Sequence, residues 1–271
     1  MSTGARPAWA DAFVDVSRAP SLDGIEITPD WAYGDRRGTG VRVAVIDSGV
    51  EADHPLVGGL AGAVVVEPDP DGEPPDVRYV EGPHDDLYGH GTACAAIIRR
   101  LAPDVELWSV RVLGERLTGK AWVFAAGLEW CLEHGVRVLN LSLSTSNDDY
   151  FDLFHELVDR CAYEGVILVS AMANERKATY PSEFSGVFSV AATDGSDVER
   201  ILRNPAPPAE WGAPGIDVEV AWLEGGAMTV TGNSFAAPVV AGHVARILGA
   251  HPELTGWQVR TVLAELAANA G

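Results

Sequence analysis

Three glycine-flanked runs in this 271-residue chain carry an acid, a base and a hydroxyl, in that order: Val43-Ala44-Val45-Ile46-Asp47-Ser48-Gly49, Gly89-His90-Gly91-Thr92 and Gly232-Asn233-Ser234-Phe235-Ala236-Ala237-Pro238. Together these groups could perform nucleophilic acyl transfer. A serine hydroxyl attacks a carbonyl only when a base takes its proton, and a buried carboxylate keeps that base oriented. Asp47 follows an apolar run, where a carboxylate is costly unless hydrogen-bonded. The imidazole of His90 is the expected partner; alone, Asp47 would read as a turn residue before Gly49. His90 suits a general base toward Ser234 and then an acid toward a leaving amine. Ser234 opens a predicted helix, whose N-terminal dipole favours developing negative charge and whose free N–H can hold it. A plain N-cap serine would leave the surrounding small-residue run unexplained. Pro238 is read as lying in the first helical turn, where no intrahelical N–H is needed.

The order Asp, His, Ser and the three motifs resemble the subtilisin-like serine proteases, or subtilases, over roughly residues 38–268. The resemblance implies a serine endopeptidase and adds Asn174, in Val169-Ser170-Ala171-Met172-Ala173-Asn174-Glu175, as a side-chain donor to the anion of the tetrahedral intermediate. It implies that an extended peptide is held as an added strand between Leu117-Thr118-Gly119 and Ser142-Leu143-Ser144. Ser144, Ala173 and Thr179 stand where the family commonly has glycine, so the pocket before the scissile bond is expected to be shallow and to favour small or polar residues. Ile97-Ile98-Arg99-Arg100-Leu101-Ala102-Pro103 replaces the family's calcium-binding insertion, so no metal site and no cofactor are expected. Cys94, four residues after His90, is a position where some subtilases carry a free cysteine. It is expected to pack under the histidine, where thiol reagents would disturb that ring. His54 matches a structural turn of the family, and His84, His134, His155, His243 and His251 read as surface or core residues.

The elements that must position these groups follow from periodicity. Val41 to Ile46 reads as a strand buried on both faces, followed by strands at 105–112, 136–142, 166–171 and 187–191. Helices are expected from His90 to about Arg100, then at 118–133, 149–163, 234–248 and 255–267. Strands alternating with helices predict an α/β fold: three layers, a doubly wound and mostly parallel sheet flanked by helices. Ligands then bind at the carboxyl ends of the strands, where Asp47 falls. Residues 67–88, acidic and proline-rich, read as a solvated loop. Its Asp-Pro-Asp-Gly string lacks the spacing of a calcium loop. Residues 1–37 read as an N-terminal arm and 38–271 as one catalytic domain.

Composition narrows the function further. The net charge of −20 argues against a nucleic-acid-binding face, and no apolar run reaches the length of a membrane span. Cys94, Cys131 and Cys161 show no metal-type spacing. Met1 to Pro20 shows no signal-peptide pattern, which predicts a cytoplasmic protein. The expected partner is a peptide or protein substrate, with limited processing of a precursor, such as leader removal, as the expected role. Two rival readings stay open: a peptide ligase or macrocyclase on the same triad, and a non-catalytic peptide-binding module.

Overall fold

The computed structural model describes residues 20–270. Residues 1–19, most of the expected N-terminal arm, lie outside the described residues. The centre is a nine-stranded sheet of order β3-β2-β4-β1-β5-β6-β7-β9-β8, built from β1 (Arg42–Asp47), β2 (Gly62–Pro68), β3 (Val77–Glu81), β4 (Glu106–Arg111), β5 (Val138–Leu141), β6 (Ile167–Ala171), β7 (Phe188–Thr193), β8 (Leu202–Arg203) and β9 (Trp211–Pro214). All neighbours pair in parallel except the two edges, where β3 and β8 run antiparallel to β2 and β9. A further hairpin joins β10 (Val218–Trp222) and β11 (Gly226–Val230).

β1 is the central strand, with β4 on one side and β5 on the other. Val43, Ala44, Val45 and Ile46 are all buried, because helices cover both faces of the sheet. One face carries α1 (Pro29–Tyr33), α2 (His90–Leu101), α5 (Asn233–Ala250) and α6 (Gly256–Leu266); the other carries α3 (Ala121–Glu133) and α4 (Phe151–Tyr163). The three-layer α/β architecture expected from the alternating pattern is therefore present. α5 is buried along almost its whole length, which suits its near-continuous apolar sequence.

Two expectations are corrected. Residues 67–88 are not one loop: β2 extends to Pro68, and Val77–Glu81 forms β3, paired with it in the register Val66↔Tyr79. Residues 76–82 hold no proline, and the β-prone Val77-Arg78-Tyr79-Val80 is free to pair. Pro238 is not in the first turn of α5; it is the sixth residue of a helix that starts at Asn233. α2 runs unbroken from His90 to Leu101. Ala95, Ala96, Ile97 and Ile98 offer no oxygen side chains there, so these residues do not fit the calcium ion of the family's insertion.

The described part of the arm braces the end of α5 farthest from Ser234. Thr28 caps α1 by accepting from Trp31 N, and Pro29 is pre-set for the first helical position. The Trp31 ring stacks on His251 at 4.1 Å, and His251 Nε2 donates to Trp31 O at 2.8 Å. Arg246, only 4% exposed, lies over the Tyr33 ring at 4.7 Å and pairs with Glu199 at 2.8 Å. Beside it, His243 is fully buried and donates Nε2–H to Val198 O at 2.8 Å. Burial, reinforced by the Arg246 charge, pushes its pKa down to about 4; the Val198 bond, Glu199 and Asp197 oppose this. The unfolded chain thus takes up this proton near pH 6.5 and the folded chain near 4, so the contribution of His243 is full above about pH 6.5 and is lost as pH falls toward 4. Denaturant melts between pH 7 and pH 4.5 should show stability falling, with a shallower fall in His243→Phe.

Candidate active site

The site begins with a close approach between two glycines. A Cβ on Gly91 would lie 1.9 Å from Gly49 O, and one on Gly49, at φ +111°, would lie 2.5 Å from Asp85 O. Glycine at 91 lets the start of α2 press against the end of β1, and glycine at 49 lets the 85–86 segment that leads into α2 do the same. That contact brings His90 Nδ1 to 2.9 and 2.8 Å from the two carboxylate oxygens of Asp47, while Ser48 N donates to Asp47 Oδ1 at 2.8 Å. Asp47 has no exposure and His90 has 5%. Burial works against the charged imidazole, but the charge of Asp47 and its hydrogen bond outweigh it, and the charge of Asp86 adds to them; the net effect raises the His90 pKa above its usual value.

Asp86 was not singled out from the sequence, yet it builds the platform under His90. Gly89, the N-cap of α2, has no side chain to cap with. Asp86, 7% exposed, takes over: Oδ1 accepts from Ser48 Oγ at 2.8 Å, Tyr88 N at 3.0 Å and Gly89 N at 2.8 Å. Its Oδ2 accepts from Thr92 N at 2.9 Å and Thr92 Oγ1 at 2.7 Å. An acid at a helix N-terminus also complements the dipole. The only sequence signal was an acid four residues before the histidine, at the position of a turn.

Ser234 stands in the first turn of α5, whose Phe235 packs against His90. The ring of Phe235 lies 5.2 Å from the imidazole, and Cys94 Sγ, one turn below His90, lies 3.6 Å from Ser234 O. That carbonyl is the one Pro238 would have served four residues on, had it an N–H. Ser142 Oγ serves it instead, donating at 2.9 Å, with Asn140 Nδ2 donating to the same hydroxyl at 3.1 Å. The proline thus ties the nucleophile turn to the segment expected to hold substrate. Burial, then the nearby Asp47 charge, pushes the Cys94 thiol well above its usual pKa. It stays protonated and packs under the histidine as expected.

Asn174 is exposed on the turn after β6, and its Oδ1 accepts from Asn233 N at 3.0 Å. The four expected groups are thus brought to one place at the carboxyl ends of β1 and β6. Of the expected substrate segments, Thr118 and Gly119 are exposed, as a peptide-pairing rim requires. Leu117 differs: at φ 53° it closes a turn, donating to Gly114 O at 2.9 Å, and is not extended. Ser142, Leu143 and Ser144 leave β5 half-buried, and Thr145 then pairs with Tyr180 through two main-chain bonds of 2.9 and 2.8 Å. Thr179 is buried, its hydroxyl 2.7 Å from Ser182 Oγ, and Ala173 O accepts from Asn233 Nδ2 at 3.0 Å. His54, 1% exposed, pins its turn to the β10–β11 hairpin through Gly226 O. A carboxylate, an oriented imidazole and a hydroxyl at a helix N-terminus, beside a side-chain amide, can carry out acyl transfer.

Comparison with known proteins agrees with this chemistry. The profile of the Subtilase family (peptidase S8) matches residues 38–271, and the chain belongs to that family of subtilisin-like serine endopeptidases. It is 31% identical over 246 residues to the thermostable alkaline protease of Halalkalibacterium halodurans, covering 86% of this chain and 64% of that protein. It is 28% identical to subtilisin DY of Bacillus licheniformis, covering 87% and 86%. Among solved structures, it resembles a cold-adapted subtilisin-like serine proteinase with a TM-score of 0.64 at 26% identity, covering 83% of this chain and 81% of the other. Sphericase shares the fold with a TM-score of 0.66 at 24% identity, covering 83% and 82%.

The raised His90 pKa predicts a rate profile whose acid limb has its midpoint above about pH 6.5. Asp86→Asn should move that midpoint to lower pH, because one of the charges favouring the imidazolium is gone. A pH series of kcat/KM on both proteins measures the shift; coincident limbs would remove Asp86 from the electrostatics of the site.

Proposed function

We propose that this chain cleaves an extended peptide or protein substrate at selected bonds through an acyl-enzyme. The observation that carries the reading is the buried Asp47–His90 pair, at 2.8 Å, against the helix turn that presents Ser234. Ser234 Oγ attacks the scissile carbonyl while His90 takes its proton. Asp47 holds the ring and stabilises the imidazolium. Asn174 and the Ser234 N–H, one of the unsatisfied donors at a helix start, receive the oxyanion. His90 then returns the proton to the leaving amine, and water, activated by the same base, releases the acyl group.

The substrate backbone pairs between Thr118-Gly119 and Ser142-Leu143-Ser144, and the pocket beside Ala173 and Thr179 accepts small or polar side chains. Two features support a shallow pocket with little room: Thr179 is locked onto Ser182, and the Thr145–Tyr180 pairing ties the two walls together. Such selectivity suits limited processing of a precursor, leader removal among the options. Three buried free thiols support a reducing, cytoplasmic setting.

A fluorophosphonate probe should label the wild type stoichiometrically and leave Ser234→Ala unlabelled; equal labelling would end the reading of Ser234 as nucleophile. A fluorogenic panel varied at the residue before the cleavage point should rank Ala and Ser above Phe, and the reverse ranking would refute the shallow pocket. Product masses from a long peptide separate hydrolysis, which adds one water, from cyclisation, which adds none.

A further inference from the structure

Asn233, between Gly232 and the nucleophile, has no part in the chemistry above, yet its hydrogen bonds are fully committed. Its side-chain Oδ1 accepts from Ala192 N on β7 at 2.8 Å. Its Nδ2 donates to Met172 O at 3.1 Å and Ala173 O at 3.0 Å, both in the turn that carries Asn174. Its main-chain N–H donates to Asn174 Oδ1 at 3.0 Å. One residue therefore ties together the start of α5, the end of β7 and the turn after β6.

The bond to Asn174 has a directional consequence. A side-chain amide has an acceptor end and a donor end. With the Oδ1 end engaged by an N–H, the NH₂ end must point away from Asn233; the flipped amide would set N–H against N–H. The N–H that does this is one of the orphan donors of the helix start, so orienting Asn174 breaks no helical bond. The side-chain bonds fix where the turn sits, and the main-chain bond fixes which end of the amide faces out. Asn174 is itself exposed, so its own burial does not hold it. Donors fixed before the reaction need no reorganisation as charge develops, which is where most electrostatic rate enhancement arises.

We propose that Asn233 is the positioning residue of the anion cradle: it clamps the 172–174 turn to the nucleophile helix and holds the Asn174 amide donor-first toward the carbonyl under attack. It touches neither the substrate nor the oxyanion; it acts through Asn174 and sets the spacing between that donor and the adjacent Ser234. This rests on the hydrolytic reading given above.

A double-mutant cycle tests it, because a residue acting through another loses its effect when the other is removed. Kinetics on a fluorogenic peptide would be measured for wild type, Asn174→Ala, Asn233→Ala and the double variant, with thermal melts on each. Asn174→Ala should lower kcat by about 10²–10³-fold. Asn233→Ala should lower kcat by about tenfold or more, with KM within about twofold, a split expected for a transition-state effect. In the Asn174→Ala background, Asn233→Ala should cost less than about threefold, the residual expected for coupled sites. Equal losses in the two backgrounds, or a loss confined to KM, would overturn the proposal. If Asn233→Ala fails to fold, Asn233→Asp takes its place in the cycle; it keeps the acceptor for Ala192 but turns a carboxylate oxygen toward the Met172 and Ala173 carbonyls. A wild type that takes the fluorophosphonate but turns over no peptide would count against hydrolysis alone; inhibition constants of a peptide boronate then read the same cycle, with the same expected coupling and the same overturning result.

Discussion

A carboxylate with no solvent exposure at the end of a central strand sets the terms for the rest of this molecule. Asp47 cannot sit there uncompensated, and its compensation comes from the His90 ring and the Ser48 N–H. To supply the ring, α2 must begin within contact of β1, which requires glycine at 91, while glycine at 49 admits the 85–86 segment that leads into α2. To hold α2 in that place, a second buried acid must replace the cap that Gly89 cannot provide. The two carboxylates are linked through Ser48, whose N–H serves Asp47 and whose hydroxyl serves Asp86. The imidazole thus lies in the field of two acids, which outweighs the burial that would otherwise lower its pKa.

The nucleophile side is organised by the opposite kind of element, a missing donor. Pro238 leaves the Ser234 carbonyl without its helical partner, and Ser142, 92 residues earlier in the chain, fills the gap. The segment proposed to line the substrate path is thereby fastened to the turn that carries the hydroxyl. Asn233 fastens the neighbouring turn of Asn174 to the same helix start. Besides the Asp47–His90 bond, main-chain and short polar bonds from residues outside the reactive set hold these groups together.

The parts of this plan that were legible in the sequence are those written in local pattern. The apolar run at Val43–Ile46, the alternation of strands and helices, and the glycine-flanked Asp, His and Ser all announce themselves within a few residues. What stayed hidden depends on what the topology brings together. Asp86 and Asn233 are ordinary polar residues until their partners at Ser48, Thr92, Met172 and Ala192 arrive from elsewhere in the chain. β3 was masked because proline and acid were averaged over the whole of 67–88, although the run Val77-Arg78-Tyr79-Val80 holds neither. α1 is only five residues long and owes its place to stacking on α5, which no periodicity reports. Pro238 was misplaced because the helix start and the proline position matter only relative to each other.

The absent rung at Pro238 also divides the long buried helix mechanically. The far end of α5 packs on Trp31 and Tyr33 of the N-terminal segment through its own Arg246 and its capping His251. The opening turn is bonded to Ser142 and to the 172–174 turn. The opening turn thus lacks one main-chain bond to the body of the helix and is bonded to other parts of the chain in its place.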